Sequence, residues 1–284
     1  MFNYKFGITH SGVFHADDVF STILLKKLNP EIQISRTPRD PVDVPEDTIV
    51  FDLGKGKFDH HQLIGKEYRE ETYVNKDGKL QQIPYAAFGL LWKEFGRELC
   101  YNESAWTKFD RDFVLPVDAA DNGVRRSTLS AAVGAFNPVW DENVNSNDRF
   151  FETVELMTPV FEAELRRVNS AAKAEALVKA DADKAVNGIM VMEEYRPWED
   201  IILENYPDIL FVVFPSNRNI GAWNIRTVPD MPGSFSGRKL FPTEWLGNPD
   251  ASLGMTFCHV NNFLAEAKDF QSALNIANIA VNCA

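Results

Sequence analysis

Four of the five histidines in this 284-residue chain fall within its first 61 residues, in two short segments. The first reads Thr9-His10-Ser11-Gly12-Val13-Phe14-His15-Ala16-Asp17-Asp18, and the second Asp52-Leu53-Gly54-Lys55-Gly56-Lys57-Phe58-Asp59-His60-His61. Each follows an apolar run, so each stands where an extended stretch ends. Imidazoles crowded beside carboxylates are costly to bury, because every ring nitrogen and carboxylate oxygen needs a partner. A divalent cation supplies that partner, since it takes imidazole and carboxylate together. The fold is therefore expected to bring the two segments to one metal-binding site.

The apolar spacing around them reads as α/β. Residues 4–9 form a short strand whose end presents His10. Ala16 to Leu28 keeps a helical period through Val19, Phe20, Ile23, Leu24, Leu25 and Leu28, with Asp17 and Asp18 suited to the helix start. Ile32–Arg36 and Thr48–Asp52 read as strands on either side of a proline-rich loop. This order implies a mostly parallel sheet flanked by helices, with its ligand site beyond the carboxyl ends of the strands. His10 and Asp52 are both expected there.

Residues 66–82 are highly charged and contain Asp77-Gly78, which suggests a β-turn or a mobile insertion. Pro84 to Phe95 reads as a helix with the proline near its first turn and Gly96 as its stop. A second amphipathic helix lies within Ser104–Ala120. The Asn122-Gly123 pair that follows ends it and displays Asp121. Asn147 to about Ala185 reads as one or two long helices. Asn187-Gly188 opens a second α/β pattern, with strands at 189–192, 209–214 and 223–228, a helix at 198–204 and a closing helix at 262–280. The expected organisation is a metal-binding domain over 1–165, a helical connector over 166–186, and a smaller C-terminal α/β domain over 187–284.

The net charge of −12 argues against broad, non-specific binding of duplex nucleic acid. It does not exclude a phosphate substrate, because bound cations reverse the local sign of an acidic site. No apolar stretch approaches the roughly 20 residues that span a bilayer, and the N-terminus does not read as a signal peptide. No membrane association is expected, and the cytoplasm is the expected compartment. The three cysteines lack any Cys-x-x-Cys spacing, so neither a disulfide framework nor a zinc ribbon is indicated. A Gly-x-Ser-x-Gly elbow, a Walker loop and a dinucleotide fingerprint are all missing. The residues alone thus lead to a two-metal hydrolase of phosphoesters, with manganese, magnesium or zinc as its ions. Arg226, Arg238, Lys239 and His259 lie beside glycines and turns and are candidates to grip phosphate.

Asp59-His60-His61 after the strand-end Asp52 resembles the motif that names the DHH phosphoesterase superfamily. The chain is more closely similar to the Myg (melanocyte proliferating gene) family of metal-dependent hydrolases and 3′–5′ RNA exonucleases. The resemblance runs through Thr9–Asp17, Asp52-Leu53-Gly54, Phe58–Gln62 and Val117–Gly123. It continues through Arg36, Pro197-Trp198, Gly233-Ser234-Phe235, Arg238, Pro242, Trp245 and Phe257-Cys258-His259. It implies an N-terminal DHH-type catalytic domain holding two divalent ions, manganese first. His10, His15, Asp17, Asp52, Asp59, His60 and either Asp118 or Asp121 would be ligands, with Asp121 preferred. Asp52 or Asp59 would bridge the ions, and His61, with Asp59, would serve catalysis by orienting the scissile phosphate or acting as an acid. Where the superfamily has Asp-x-Asp, this chain has His15-Ala16-Asp17, which lowers the site's negative charge. The C-terminal domain would bind substrate through Arg226, Arg238 and His259. The implied substrate is single-stranded RNA or an oligonucleotide; a small phosphate, as for a pyrophosphatase or nucleotide phosphatase, is the alternative. A non-catalytic metal- and phosphate-binding module is a third reading. Oligomeric state is not implied.

Overall fold

The computed structural model describes residues 2–61 and 66–283, so Gln62 of the second motif lies outside the described residues. The chain divides into two compact units, Met1–Ala172 and Lys173–Ala284.

The first unit is built on a three-stranded parallel sheet, β1 (Phe6–His10), β2 (Gln33–Thr37) and β3 (Thr48–Val50), in the order β2-β1-β3. Helix α1 (Ala16–Leu28) connects β1 to β2, with the bounds that its apolar period predicts. Ala16 through Leu25 are all buried, so α1 carries Asp17 and Asp18 into the interior along with its apolar residues. Strand β3 stops at Val50, two residues short of the expected end. Phe51 keeps a single bridge to Phe58, and Asp52 turns the chain with φ +53. Aspartate tolerates this left-handed conformation better than most residues. The turn is closed by the Asp52 amide, which donates to the Phe58 carbonyl at 2.9 Å.

The charged stretch 66–82 forms a hairpin of β4 (Tyr68–Val74) and β5 (Leu80–Pro84), turning at Asp77-Gly78. Pro84 therefore ends a strand and pairs with Tyr68, and helix α2 (Ala87–Phe95) starts three residues later than expected. The α-helix ends at Phe95 with Gly96 as its C-cap, as expected, and Gly96 at φ −57 leads into a tighter turn over Gly96–Leu99. A glycine is needed there because a Cβ would lie 2.4 Å from the Trp92 ring. Residues 103–121 are one helical run: α3 (Glu103–Phe109), a π turn (Asp110–Val114) and α4 (Leu115–Asp121). A short helix, α5 (Thr128–Gly134), follows that the sequence reading lacks. The next element, α6 (Ser146–Ala182), is a single helix of 37 residues. The core of this unit is aromatic, with Trp92 stacked on Phe109 at 4.3 Å and Phe161 edge-on to Phe109 at 5.1 Å.

The second unit carries β6 (Ile189–Val191), α7 (Glu199–Asn205), β7 (Phe211–Pro215), β8 (Trp223–Thr227), β9 (Met255–Cys258), β10 (Leu264–Ala267) and α8 (Phe270–Asn282). Its five strands lie in the order β6-β7-β8-β10-β9, parallel between β6 and β7 and antiparallel elsewhere. Phe211 and Val213 of β7 pack in the cluster of α8, while Val212 and Phe214 pack with Trp198, Ile202 and the end of α6. Both faces of β7 are covered, which explains its unbroken apolar run. The closing helix begins at Phe270 rather than Asn262, because 264–267 is strand β10 between β8 and β9.

Candidate metal centre

Three chain ends converge in the first unit: the end of β1 with His10, the turn after β3 with Asp52, and the end of α4 with Asp121. The start of α1 and the His60 loop complete the site. Asp52 faces two ways. Its Oδ2 is 3.1 Å from His10 Nε2, and its Oδ1 is 3.3 Å from His60 Nδ1. Asp18 Oδ2 approaches His10 Nε2 at 2.9 Å. His60 Nε2 lies 2.9 Å from Asp121 Oδ2, and its Nδ1 is 3.8 Å from Asp17 Oδ2. Three overlapping groups result: His10, Asp18 and Asp52; Asp52, Asp59, His60 and His61; and Asp17, His60 and Asp121. Within each, the donor atoms lie within 4.8 Å of one another.

Local chain physics fixes these side chains. Asp17 accepts hydrogen bonds from the Phe88 and Ala87 amides, at 2.7 and 3.1 Å, which are orphan donors at the start of α2. Asp18 Oδ1 accepts from the His15 amide at 3.0 Å and so starts α1, leaving Oδ2 for the site. Arg36 ties the His10 loop down, donating to the carbonyls of His10 at 2.9 Å and Gly12 at 3.2 Å and to Asn147 Oδ1 at 3.0 Å.

The electrostatics call for more positive charge than the residues provide. Burial, followed by the charges of Asp52, Asp121 and Asp118, holds Asp17 well above the usual carboxylate range. Asp18 is raised by burial although His10 opposes the shift. Burial alone would lower the His10 ring, but Asp18 and Asp52 overcome it and push it up to about 10. Asp18 Oδ2, Asp52 Oδ1 and His60 Nδ1 are buried, and although Asp18 Oδ2 lies 2.9 Å from His10 Nε2 and Asp52 Oδ1 3.3 Å from His60 Nδ1, none of the three has a well-aligned hydrogen bond among the described residues. Leaving such atoms unpaired costs about 1–3 kcal/mol each, more for charged groups. Converging imidazole and carboxylate donors of this kind fit hard or borderline divalent cations.

Of the residues expected from the sequence, His10, Asp17, Asp52, Asp59, His60, His61 and Asp121 fall in these groups. Asp59 has another task within its loop: Oδ1 accepts from the His61 amide at 3.0 Å and contacts His61 Nδ1 at 2.8 Å, while Oδ2 accepts from the Lys55 amide at 2.6 Å. Burial would raise Asp59, but these bonds hold it below the usual range. Of Asp52 and Asp59, Asp52 belongs to two of the groups and Asp59 to one. His15 stands at the rim, its Nδ1 3.7 Å from Asp121 Oδ1. Asp118 is drawn away into a buried pair with Arg69, at 2.7 Å, and belongs to none of the groups. Asp18 is the member that sequence reasoning leaves out of the ligand set, although it stands in the Asp17-Asp18 doublet.

In the second unit, Arg226 pairs with Glu199 at 2.9 Å, and Arg238 donates to the carbonyls of Tyr206 and Ile209, at 2.6 and 2.9 Å, just past the end of α7. Lys239 donates to the Cys283 carbonyl. These cations are engaged in the fold. His259 lies in a row of rings, 4.5 Å from Phe263 and 6.2 Å from Phe257, and Phe263 is 5.1 Å from the exposed Phe235. The three cysteines are free thiols, and burial pushes Cys258 up to about 11 and Cys100 up to about 12. No described helix is long and apolar enough to cross a membrane.

Residues 7–281 match the family model MYG1_exonuc, described as an uncharacterised protein family (UPF0160). Similar curated proteins include a MYG1 protein of Dictyostelium discoideum, 28% identical over 328 aligned residues that cover 96% of this chain and 95% of the relative. A Caenorhabditis elegans MYG1 protein is 28% identical and covers 96% and 94%, and one from Chlamydia pneumoniae is 28% identical and covers 90% of each. Among solved structures, RecJ of Thermus thermophilus in complex with Mn2+ aligns with 98% of this chain and 51% of that chain, at 13% identity and a TM-score of 0.28.

Proposed function

The chain belongs to the MYG1_exonuc family, and from that premise we propose that it is a metal-dependent phosphodiesterase, a 3′–5′ exonuclease of single-stranded RNA or short oligonucleotides. The observation that carries this reading is Asp52, whose two oxygens face His10 on one side and His60 on the other. His10, Asp18 and Asp52 would hold one divalent ion, manganese first, and Asp52 and His60 a second, with Asp17 and Asp121 beside His60. Once bound, two such ions supply charge stabilisation at the phosphoryl oxygens and a more acidic water.

The residues around the ions have their own tasks. Asp59 holds the His61 ring by its Nδ1 edge at 2.8 Å, and that ring is 61% exposed. A carboxylate in this place fixes the tautomer and orientation of the imidazole. His61 is thereby set to hydrogen-bond the phosphate or to give a proton to the leaving oxygen. Arg36, bonded to the His10 and Gly12 carbonyls, keeps the first ligand loop in place. Within the second unit, the row of Phe235, Phe263, His259 and Phe257 is a surface on which a base would stack.

Hydrolysis of a short single-stranded RNA labelled at its 5′ end, with manganese present, tests the reading. Stepwise shortening of the labelled product is expected, absent in Asp52→Asn. A second reading, a small-molecule phosphohydrolase, is favoured by the net charge of −12. RNA that stays intact while pyrophosphate or nucleotides are hydrolysed would replace the first reading with the second. Turnover of neither class, with metal still bound, would favour the non-catalytic module.

A further inference from the structure

A cavity of about 750 Å³ opens beside the metal centre within the first unit. His60, His61 and Asp121 of the metal centre line it together with Lys66, Tyr68 and Ser130. Its size is that of a small-molecule site, which typically spans roughly 300–1,000 Å³. Lys66 forms no ion pair with any described residue. Tyr68 is 51% exposed, and the Ser130 hydroxyl is buried without a hydrogen-bond partner among the described residues.

The exposed tyrosine is held on a rigid base. Side chains alternate along a strand, so the residue after Tyr68 points to the opposite face. That residue is Arg69, 1% exposed, whose guanidinium reaches Asp118 Oδ2 at 2.7 Å and Asp110 Oδ2 at 2.6 Å. Gln82 of β5 donates to the Arg69 carbonyl at 2.9 Å, and Tyr68 itself pairs with Pro84. Asp118 lies one helical turn before Asp121 on α4. One buried ion pair therefore fixes the hairpin to the helix that delivers a metal-centre carboxylate. With the backbone beneath it fixed, a tyrosine has only two side-chain torsions to lose when a flat ring stacks on it, and a lysine that no described carboxylate neutralises is suited to a phosphate.

We propose that the β4–β5 hairpin makes a nucleotide subsite beside the metal centre, in which Tyr68 stacks on a base and Lys66 pairs with a phosphate. The inference rests on the phosphoesterase reading and narrows it, because the site would select a phosphate that carries a base over a bare one. The hairpin is then the specificity element of the first unit.

Calorimetric titration of the full chain in manganese with AMP, ribose 5-phosphate and inorganic phosphate tests it without turnover. The wild type is expected to bind AMP about tenfold more tightly than ribose 5-phosphate. Tyr68→Ala removes that advantage and leaves ribose 5-phosphate unchanged. Tyr68→Phe keeps the ring and stays within about twofold of wild type. Lys66→Gln weakens all three ligands together. AMP bound no more tightly than ribose 5-phosphate by the wild type, or equally by Tyr68→Ala, would overturn the subsite while leaving the metal centre intact. Wild-type protein that binds none of the three phosphates would contradict the phosphoesterase reading itself, and the subsite with it.

Discussion

Asp118 and Asp121 lie three residues apart on one helix, and both are legible in the sequence as ligands. What separates them is Arg69, which reaches Asp118 from the hairpin, 49 residues away, and which no spacing rule connects to it. The separation yields opposite outcomes on substitution. Asp118→Asn weakens a buried ion pair and is expected to lower stability by about 3 kcal/mol, read by denaturant unfolding, while leaving the metal sites' own donors in place. Asp121→Asn removes a donor and is expected to cost more than about 100-fold in kcat with little loss of stability. The histidines and most carboxylates of the centre can be found because two motifs concentrate them. Asp18 escapes because a doublet at a helix start reads equally well as capping, and one oxygen does cap α1.

Elements whose period is unambiguous are predictable: α1 has the bounds that its apolar spacing gives, and the Asn187-Gly188 turn has both residues in the left-handed region, at φ +53 and +74. Others depend on partners far away in the chain. Leu264-Ala265-Glu266-Ala267 consists of helix formers, yet pairing with β8 and β9 makes it a strand. Pro84 reads as a helix start until its pairing with Tyr68 is known. Gly89, inside α2, shows how packing can reverse a propensity rule. Alanine for glycine in a helix normally gains about 1 kcal/mol. Here an added Cβ would lie 1.9 Å from Asp118 Oδ2 and displace the carboxylate that pairs with Arg69. Gly89→Ala is therefore expected to lower the thermal midpoint, and a raised midpoint would contradict the packing described for α2 and α4.

For the chain as a whole, −12 net charge comes with a centre that gathers buried carboxylates around a few imidazoles. Any cation that binds the folded form alone at such a site stabilises it by mass action. Manganese at about 100 times its dissociation constant should add about 2.7 kcal/mol, seen as a higher thermal midpoint that EDTA reverses. Sodium at equal ionic strength should not reproduce the shift, since screening acts on all exposed charges alike. The most direct test of the central claim is a count of bound manganese by titration of wild type and Asp52→Asn. Two ions per wild-type chain, and fewer than two in Asp52→Asn, is the predicted result. A wild type that binds one ion or none, or an Asp52→Asn chain that still binds two as tightly, would contradict a centre built on a shared Asp52.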